Sequence, residues 1–107
     1  LAAMCDGRSV QTLEGLRTDP TMELLRHHFH HAHALQCGFC TPGMLITARD
    51  ILLRHTRPKD MTVRHELSGQ ICRCTGYANI IKAIIAAGEE MAAKAAPAEP
   101  APEPPEP

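Results

Sequence analysis

At 107 residues, the chain is long enough for one compact domain. Its formal net charge of −1 leaves no basic footprint for nucleic acid, and no stretch approaches the roughly 18 uninterrupted apolar residues that a membrane span needs. Only one Tyr and two Phe contribute aromatic surface, so the core is expected to be small and to need support beyond apolar burial.

The N-terminal segment carries the signal of a β-hairpin. Asp6-Gly7 is a favoured two-residue turn, and it lies between two apolar-leaning runs within residues 1–13. A two-stranded hairpin is marginal by itself in water, so this one is expected to be the remnant of a larger sheet. With the linker that follows, it forms the first predicted segment, 1–17.

A first helix is predicted from about residue 20 to residue 33. Asp19 can cap this helix, and Pro20 suits its first position. The apolar stripe of the helix is formed by Met22, Leu25, Phe29 and Ala32.

The same helix contains five histidines within positions 27–33. His27 and His31 are four residues apart, so their neutral rings could chelate zinc, copper or nickel. The alternative is a solvated helix face, because the apolar stripe already occupies the buried side. The sequence leaves both interpretations open.

Two further helices follow the segment "QCGFCTPG" (36–43). The second helix is predicted to start at this cysteine pair, with Thr41 as its cap and Pro42 in its first turn. Its buried face is formed by Met44, Leu45, Ala48, Ile51 and Leu52. A short third helix over about 60–68 would end at Gly69, and its candidates for burial are Met61, Val63 and Leu67.

A fourth helix is predicted after the second cysteine pair of "ICRCTGY" (71–77), with Thr75 at its cap, and it is expected to fade into "AAGEEMAAKAA". That face is formed by Tyr77, Ile80, Ile81, Ile84 and Ile85. Because the two cysteine motifs and their helices form a loose internal repeat, the fold class is expected to be an all-α, four-helix bundle with approximate two-fold symmetry. This helical domain spans 18–92, and the Pro/Ala/Glu-rich segment 93–107 is expected to be a disordered tail.

The two cysteine motifs provide four soft ligands in two chelating pairs: Cys37, Cys40, Cys72 and Cys74. Thiolates select zinc, copper(I) or iron–sulfur clusters over hard cations. Helix N-termini suit a negatively charged cluster, and the one-residue spacing of the second pair is less typical of zinc. An iron–sulfur centre is favoured, and a structural zinc module with four cysteine ligands, which mediates protein association without a redox role, is the alternative. The fifth cysteine, Cys5, is expected to be a half-buried strand residue.

The motifs "QCGFCTPGM" and "ICRCTGYANIIKAI" resemble the C-terminal helical domain of the [2Fe–2S] small subunit of molybdenum hydroxylases. That family includes aerobic carbon monoxide dehydrogenase, xanthine dehydrogenase and isoquinoline oxidoreductase. The segment "DGRSVQTLEGL" is similar to the end of the plant-type ferredoxin domain that precedes the helical domain in this family. The sequence departs from the family pattern at Gln70, where asparagine is usual, and at His33, where a glycine usually ends the first helix.

The resemblance implies that Cys37, Cys40, Cys72 and Cys74 ligate a [2Fe–2S] cluster and that Gln36 contacts the pterin of a molybdenum cofactor. Partners would be a large molybdopterin-binding subunit and a medium FAD-binding subunit. The chain would then be a one-electron relay of an oxidoreductase, passing electrons from the molybdopterin centre toward a second cluster and FAD, with no catalytic residue of its own.

In the family, the ligands of the second cluster lie ahead of the position of Leu1. The chain is therefore expected to be a fragment, or a subunit without the first domain, and in the latter case inactive alone. A reducing cytoplasm suits its free thiols, with the periplasm as the alternative.

Overall fold

The described part of the chain contains six helical segments joined by turns and loops. The computed structural model describes residues 1–95. Four α-helices follow one another: α1 (Pro20–His31), α2 (Thr41–Arg54), α3 (Asp60–Glu66) and α4 (Ala78–Lys94). Two 3-10 helices precede them, at Ala2–Cys5 and Glu14–Leu16. The predicted all-α class is confirmed, and within residues 1–95 no helix is both long and apolar enough to cross a bilayer.

Helix α1 begins as the sequence predicts. The Asp19 carboxylate accepts a hydrogen bond from the backbone N–H of Met22 at 2.9 Å, and Pro20 occupies the first helical position. The same carboxylate also binds the Arg49 guanidinium of α2 through two hydrogen bonds of 3.1 Å. This Arg49 contact is the main cause that lowers the pKa of Asp19. One side chain therefore caps α1 and ties it to α2.

The core lies where the four helices meet. Helix α1 packs against α4 and α2, and α3 packs against the same two helices. Most buried apolar residues come from the predicted stripes, and the fully buried large side chains are Phe29, Met22, Leu25, Met44, Ile51, Ile80, Ile84 and Val63. Gly88 permits the close approach of α4, because a Cβ there would lie 3.0 Å from both Leu52 and Pro58.

Three helix ends differ from the predictions. Helix α1 ends at His31 rather than at about residue 33. Helix α3 ends at Glu66, and Met61, a candidate for burial, is 72% exposed while Val63 and Leu67 are buried. Helix α4 does not fade at its alanine-rich end but continues to Lys94, because alanine has the highest helix propensity. The first residues of the predicted tail (93–107) thus belong to α4, and the part of the tail from residue 96 onward lies outside the described residues.

The predicted hairpin over residues 1–13 is not confirmed. Ala2–Cys5 form a 3-10 helix, and no strand is present between residues 1 and 95. The turn at Asp6-Gly7 does form, with the Arg8 N–H bound to the Cys5 carbonyl at 3.0 Å. Its dihedral angles, extended at Asp6 and φ +72° at Gly7, are those of a type II turn. This turn type does not match the twist of two paired strands, so it does not support a hairpin.

Helix α1 ends in a Schellman motif with histidine in the left-handed position. His33 has φ +54°, and its N–H binds the His30 carbonyl at 3.3 Å, while the Ala34 N–H binds the Phe29 carbonyl at 2.9 Å. Ala34 and Phe29 are both buried in the same core cluster, as is typical of the two apolar residues of this motif. His33 therefore ends the helix with the same hydrogen bonds that a glycine would allow, but its left-handed backbone is strained.

The strain at His33 gives a test of this assignment. His33→Gly should raise the free energy of unfolding by about 0.5–1 kcal/mol, because the left-handed penalty of about 1–2 kcal/mol exceeds the extra chain entropy that glycine loses. Urea unfolding would measure the change. His30→Gly, at an exposed position inside the same helix, is the matched control and should lower stability by a few tenths of a kcal/mol. Equal losses in both variants would contradict the left-handed assignment.

Candidate metal centre

The first cysteine motif forms the turn between α1 and α2. Gly38 has φ +82°, which only glycine adopts without strain, and its carbonyl accepts the Thr41 N–H at 3.3 Å. The Phe39 N–H points at Sγ of Cys37 at 3.5 Å. Cys40 is the N-cap residue of α2, and its carbonyl accepts the first helical bond from Met44 at 3.0 Å. The prediction that Thr41 caps this helix is wrong, since Thr41 is already inside its first turn.

The second cysteine motif leads into α4 through an irregular loop. Tyr77, not Thr75, is the N-cap residue of α4, so the predicted Thr75 cap is also wrong. The Thr75 hydroxyl instead lies 3.1 Å from Sγ of Cys72 and accepts the Tyr77 N–H at 3.2 Å. The side chain that was expected to cap a helix therefore contacts a cysteine.

The Tyr77 side chain binds the beginning of this loop. Its phenol oxygen accepts the backbone N–H of Cys72 at 2.9 Å and donates to the Gln70 carbonyl at 3.1 Å. Tyr77 has φ +68°, an unusual conformation for a bulky residue, which costs about 1–3 kcal/mol and persists only when its surroundings hold it. Sequence periodicity placed Tyr77 on the core face of α4, and its hydrogen bonds to the loop were not predicted. No local sequence signal identifies them, because they depend on the left-handed turn.

The four predicted thiols come together as two facing pairs. Sγ of Cys37 lies 3.7 Å from Sγ of Cys74, and Cys40 and Cys72 lie close enough to shift each other's pKa. Each pair contains one thiol from each motif. The meeting of the two motifs at the leading ends of α2 and α4, which the sequence predicted, is thus present in the fold.

The thiols differ in acidity. Burial raises the pKa of Cys40 to about 11, whereas the Thr75 hydroxyl, with the N–H groups of Thr75 and Cys74, lowers the pKa of Cys72 to about 7. The neighbouring Cys37 raises the pKa of Cys74. Of the three thiols whose pKa values are shifted, Cys72 is therefore the readiest to form the thiolate that metal ligation requires.

A zinc ion and a two-iron cluster require different arrangements of the four sulfurs. A single tetrahedral zinc, about 2.3 Å from each sulfur, would bring all four sulfurs within about 3.8 Å of one another. Two thiol pairs, one of them 3.7 Å apart, suit a two-iron cluster in which each iron takes two thiolates. The zinc alternative is not favoured.

The remaining candidate ligands lie outside this site. Cys5 is exposed in the N-terminal 3-10 helix rather than half-buried in a strand. The ring centroids of His27 and His31 are 4.3 Å apart, and His28 binds Glu90 of α4 at 2.6 Å. These side chains form part of the α1–α4 surface and do not extend the cysteine site.

Comparison with known proteins identifies relatives of this chain. The family model described as "[2Fe-2S] binding domain" matches residues 12–85. Subunit gamma of caffeine dehydrogenase from Pseudomonas sp. (strain CBB1) is 46% identical over 87 residues, which cover 78% of this chain and 52% of that subunit. The small FeS subunit of nicotinate dehydrogenase from Eubacterium barkeri is 42% identical over 92 residues, which cover 86% of this chain and 59% of that subunit.

A solved structure shares the fold. Quinoline 2-oxidoreductase from Pseudomonas putida 86 superposes with a TM-score of 0.76 at 47% identity, and the match covers 89% of this chain and 59% of that chain. The present chain thus spans little more than half the length of the relatives that it matches.

The two hydrogen bonds of the Tyr77 phenol can be tested by removing one oxygen. Tyr77→Phe keeps the ring but leaves the Cys72 N–H and the Gln70 carbonyl without their partner, so the free energy of unfolding should fall by about 1–3 kcal/mol. Urea unfolding of the metal-free chain measures this change in the free energy of unfolding. Thr12→Val, which removes an exposed hydroxyl that accepts the Gly15 N–H, is the control and should change stability by less than about 0.5 kcal/mol. Similar losses in the two variants would show that the phenol does not hold the loop.

Proposed function

This chain belongs to the [2Fe-2S] binding domain family, and we propose that it works as an electron-transfer unit of a molybdenum-containing hydroxylase or dehydrogenase. One observation carries the proposal: thiols from two motifs far apart in sequence meet as two facing pairs. The names of the matched relatives, which are dehydrogenase subunits, support it. The chain itself would carry out no bond chemistry on a substrate, because the thiols that the fold gathers would all be occupied by the cluster.

Four residues are proposed as ligands. Cys37 and Cys74 would hold one iron, and Cys40 and Cys72 would hold the other, since the fold already pairs them in this way. A [2Fe–2S] cluster accepts and releases one electron at a time. The role of the chain is to hold the four thiolates at fixed separation and to supply hydrogen bonds to their sulfurs, as the N–H of Phe39 and the hydroxyl of Thr75 do.

The exposed side of this site is proposed to face the large molybdopterin-binding subunit. Cys37 and Cys74 are exposed, and two large apolar side chains within the motifs, Phe39 and Ile71, are 93% and 85% exposed. Apolar side chains this exposed beside a binding site are typical of protein contact surfaces. Gln36 is exposed directly before Cys37, where its amide can donate to and accept from a pterin edge.

The wider assembly follows from the same proposal. A medium FAD-binding subunit would receive the electrons by way of a second cluster, and a cytoplasmic location would keep the thiols reduced before assembly. Residues 1–17 would then be a link toward the second cluster, and the cluster-binding domain would extend from residue 18 to the end of α4 at Lys94.

The ligand assignment is tested by cysteine replacement. The wild-type chain should be brown and contain about two iron and two sulfide per molecule. Cys72→Ser should abolish cluster assembly, because a hydroxyl is a much poorer ligand for iron than a thiolate. Cys5→Ser is the matched control, since Cys5 is exposed and remote in sequence from both motifs. Iron and sulfide analysis, together with visible absorption, measures the cluster content of both variants.

Two results would overturn the assignment. One is an equal loss of iron in the two variants. The other is a colourless wild-type chain with one zinc, which would restore the structural zinc module.

The proposed pterin contact is tested in the assembled complex. Gln36→Ala should leave the iron content unchanged but weaken binding to the large molybdopterin-binding subunit about fivefold, the loss of roughly one hydrogen bond of about 1 kcal/mol. A binding titration of the two subunits measures the dissociation constant. Gln11→Ala, at an exposed position ahead of the four α-helices, should bind like the wild type. If Gln36→Ala also binds like the wild type, Gln36 makes no such contact.

A further inference from the structure

The Thr75 hydroxyl contacts one of the four clustered thiols directly. Its oxygen lies 3.1 Å from Sγ of Cys72, and the backbone N–H of Tyr77 donates to the same oxygen at 3.2 Å. One acceptor position of the hydroxyl is therefore occupied, and its proton is left to point at the sulfur. Since a thiolate can only accept, Thr75 must be the donor when Cys72 is ionised.

The surrounding loop holds this donor in place. Gly76, between the two residues, is left-handed with φ +64°, and the Tyr77 N–H that follows it binds Thr75. The Tyr77 phenol binds the Cys72 N–H and the Gln70 carbonyl. Both the donor and the sulfur are thus fixed by the protein itself. A hydrogen bond prepared in this way needs no rearrangement when a metal binds.

We propose that Thr75 is a tuning residue of the metal centre, whose O–H···S hydrogen bond to Cys72 raises the reduction potential of the cluster. The inference rests on the proposed function, because it requires an iron–sulfur cluster with Cys72 among its ligands. A hydrogen bond to a ligand sulfur withdraws negative charge from it. The reduced cluster carries one more negative charge than the oxidised cluster, so this bond favours reduction.

The equivalent threonine of the first motif lacks this contact. Thr41 follows Cys40 as Thr75 follows Cys74 in the sequence repeat. Its hydroxyl oxygen, however, is buried without a hydrogen-bond partner in the described part of the chain. The two motifs are alike in sequence and differ in this bond, so Thr41 provides a matched control.

The test compares three variants with the wild type in the full, cluster-loaded chain. Thr75→Val removes the hydroxyl at nearly constant shape, Thr75→Ser keeps it, and Thr41→Val removes the other hydroxyl. Iron and sulfide analysis establishes cluster content, and a redox titration followed by visible absorption and electron paramagnetic resonance gives the potential. We expect Thr75→Val to be shifted to a more negative potential at full cluster content. Thr75→Ser and Thr41→Val should titrate close to the wild type.

The outcomes separate this inference from the proposed function. A wild-type chain without iron would refute the proposed function. A loaded Thr75→Val that titrates like the wild type, or an equal shift in Thr41→Val, would refute the tuning role alone. Should Thr75→Val fail to assemble, the wild-type chain can still overturn the inference. The O–H···S bond requires that transfer into deuterated water shift the iron–thiolate stretching bands in its resonance Raman spectrum, so unshifted bands would refute it.

Discussion

The hydrogen bonds that close the loop over residues 70–77 are the constraint on which the metal centre depends. Two of the four clustered thiols lie in this irregular loop, and ordering each residue of such a loop costs about 1–2 kcal/mol. The Tyr77 phenol joins its beginning to its end, and the Tyr77 N–H fixes Thr75 against Cys72. The strained backbone of Tyr77 is tolerated because these bonds oppose it. The protein, and not only a metal, therefore holds this half of the site.

Helix packing then brings the first cysteine motif next to the second. The Schellman motif at the end of α1 turns the chain toward the first cysteine pair, and the contact of α1 with α4 places that turn beside the second pair. The Asn79 side chain, in the first turn of α4, donates to the His33 carbonyl at 3.5 Å. The bond between Asp19 and Arg49 keeps α2 aligned with α1. Two loops that are remote in sequence meet because the helices that carry them share one core.

The two thiol pairs have different environments, which bears on the proposed relay. Cys40 and Cys72 are partly buried, while Cys37 and Cys74 are exposed. In the proposed complex, the exposed pair, Cys37 and Cys74, would lie nearest the partner. The partly buried pair would carry the hydrogen bond from Thr75, which at 3.1 Å is shorter than the 3.5 Å bond from the Phe39 N–H to Cys37. Burial and hydrogen bonds to sulfur are the means by which a protein adjusts an iron–sulfur centre.

Apolar periodicity and capping chemistry are local properties, and for this reason the sequence alone determined the four helices, their buried stripes, the Asp19 cap and the candidate thiols. The tertiary structure decided how the thiols pair, that Thr75 contacts a cysteine instead of capping α4, and that Tyr77 closes the loop. The hairpin expected at Asp6-Gly7 also needed context, because strands form only against a partner. These outcomes depend on left-handed residues and on contacts between distant segments, which no short stretch of sequence encodes.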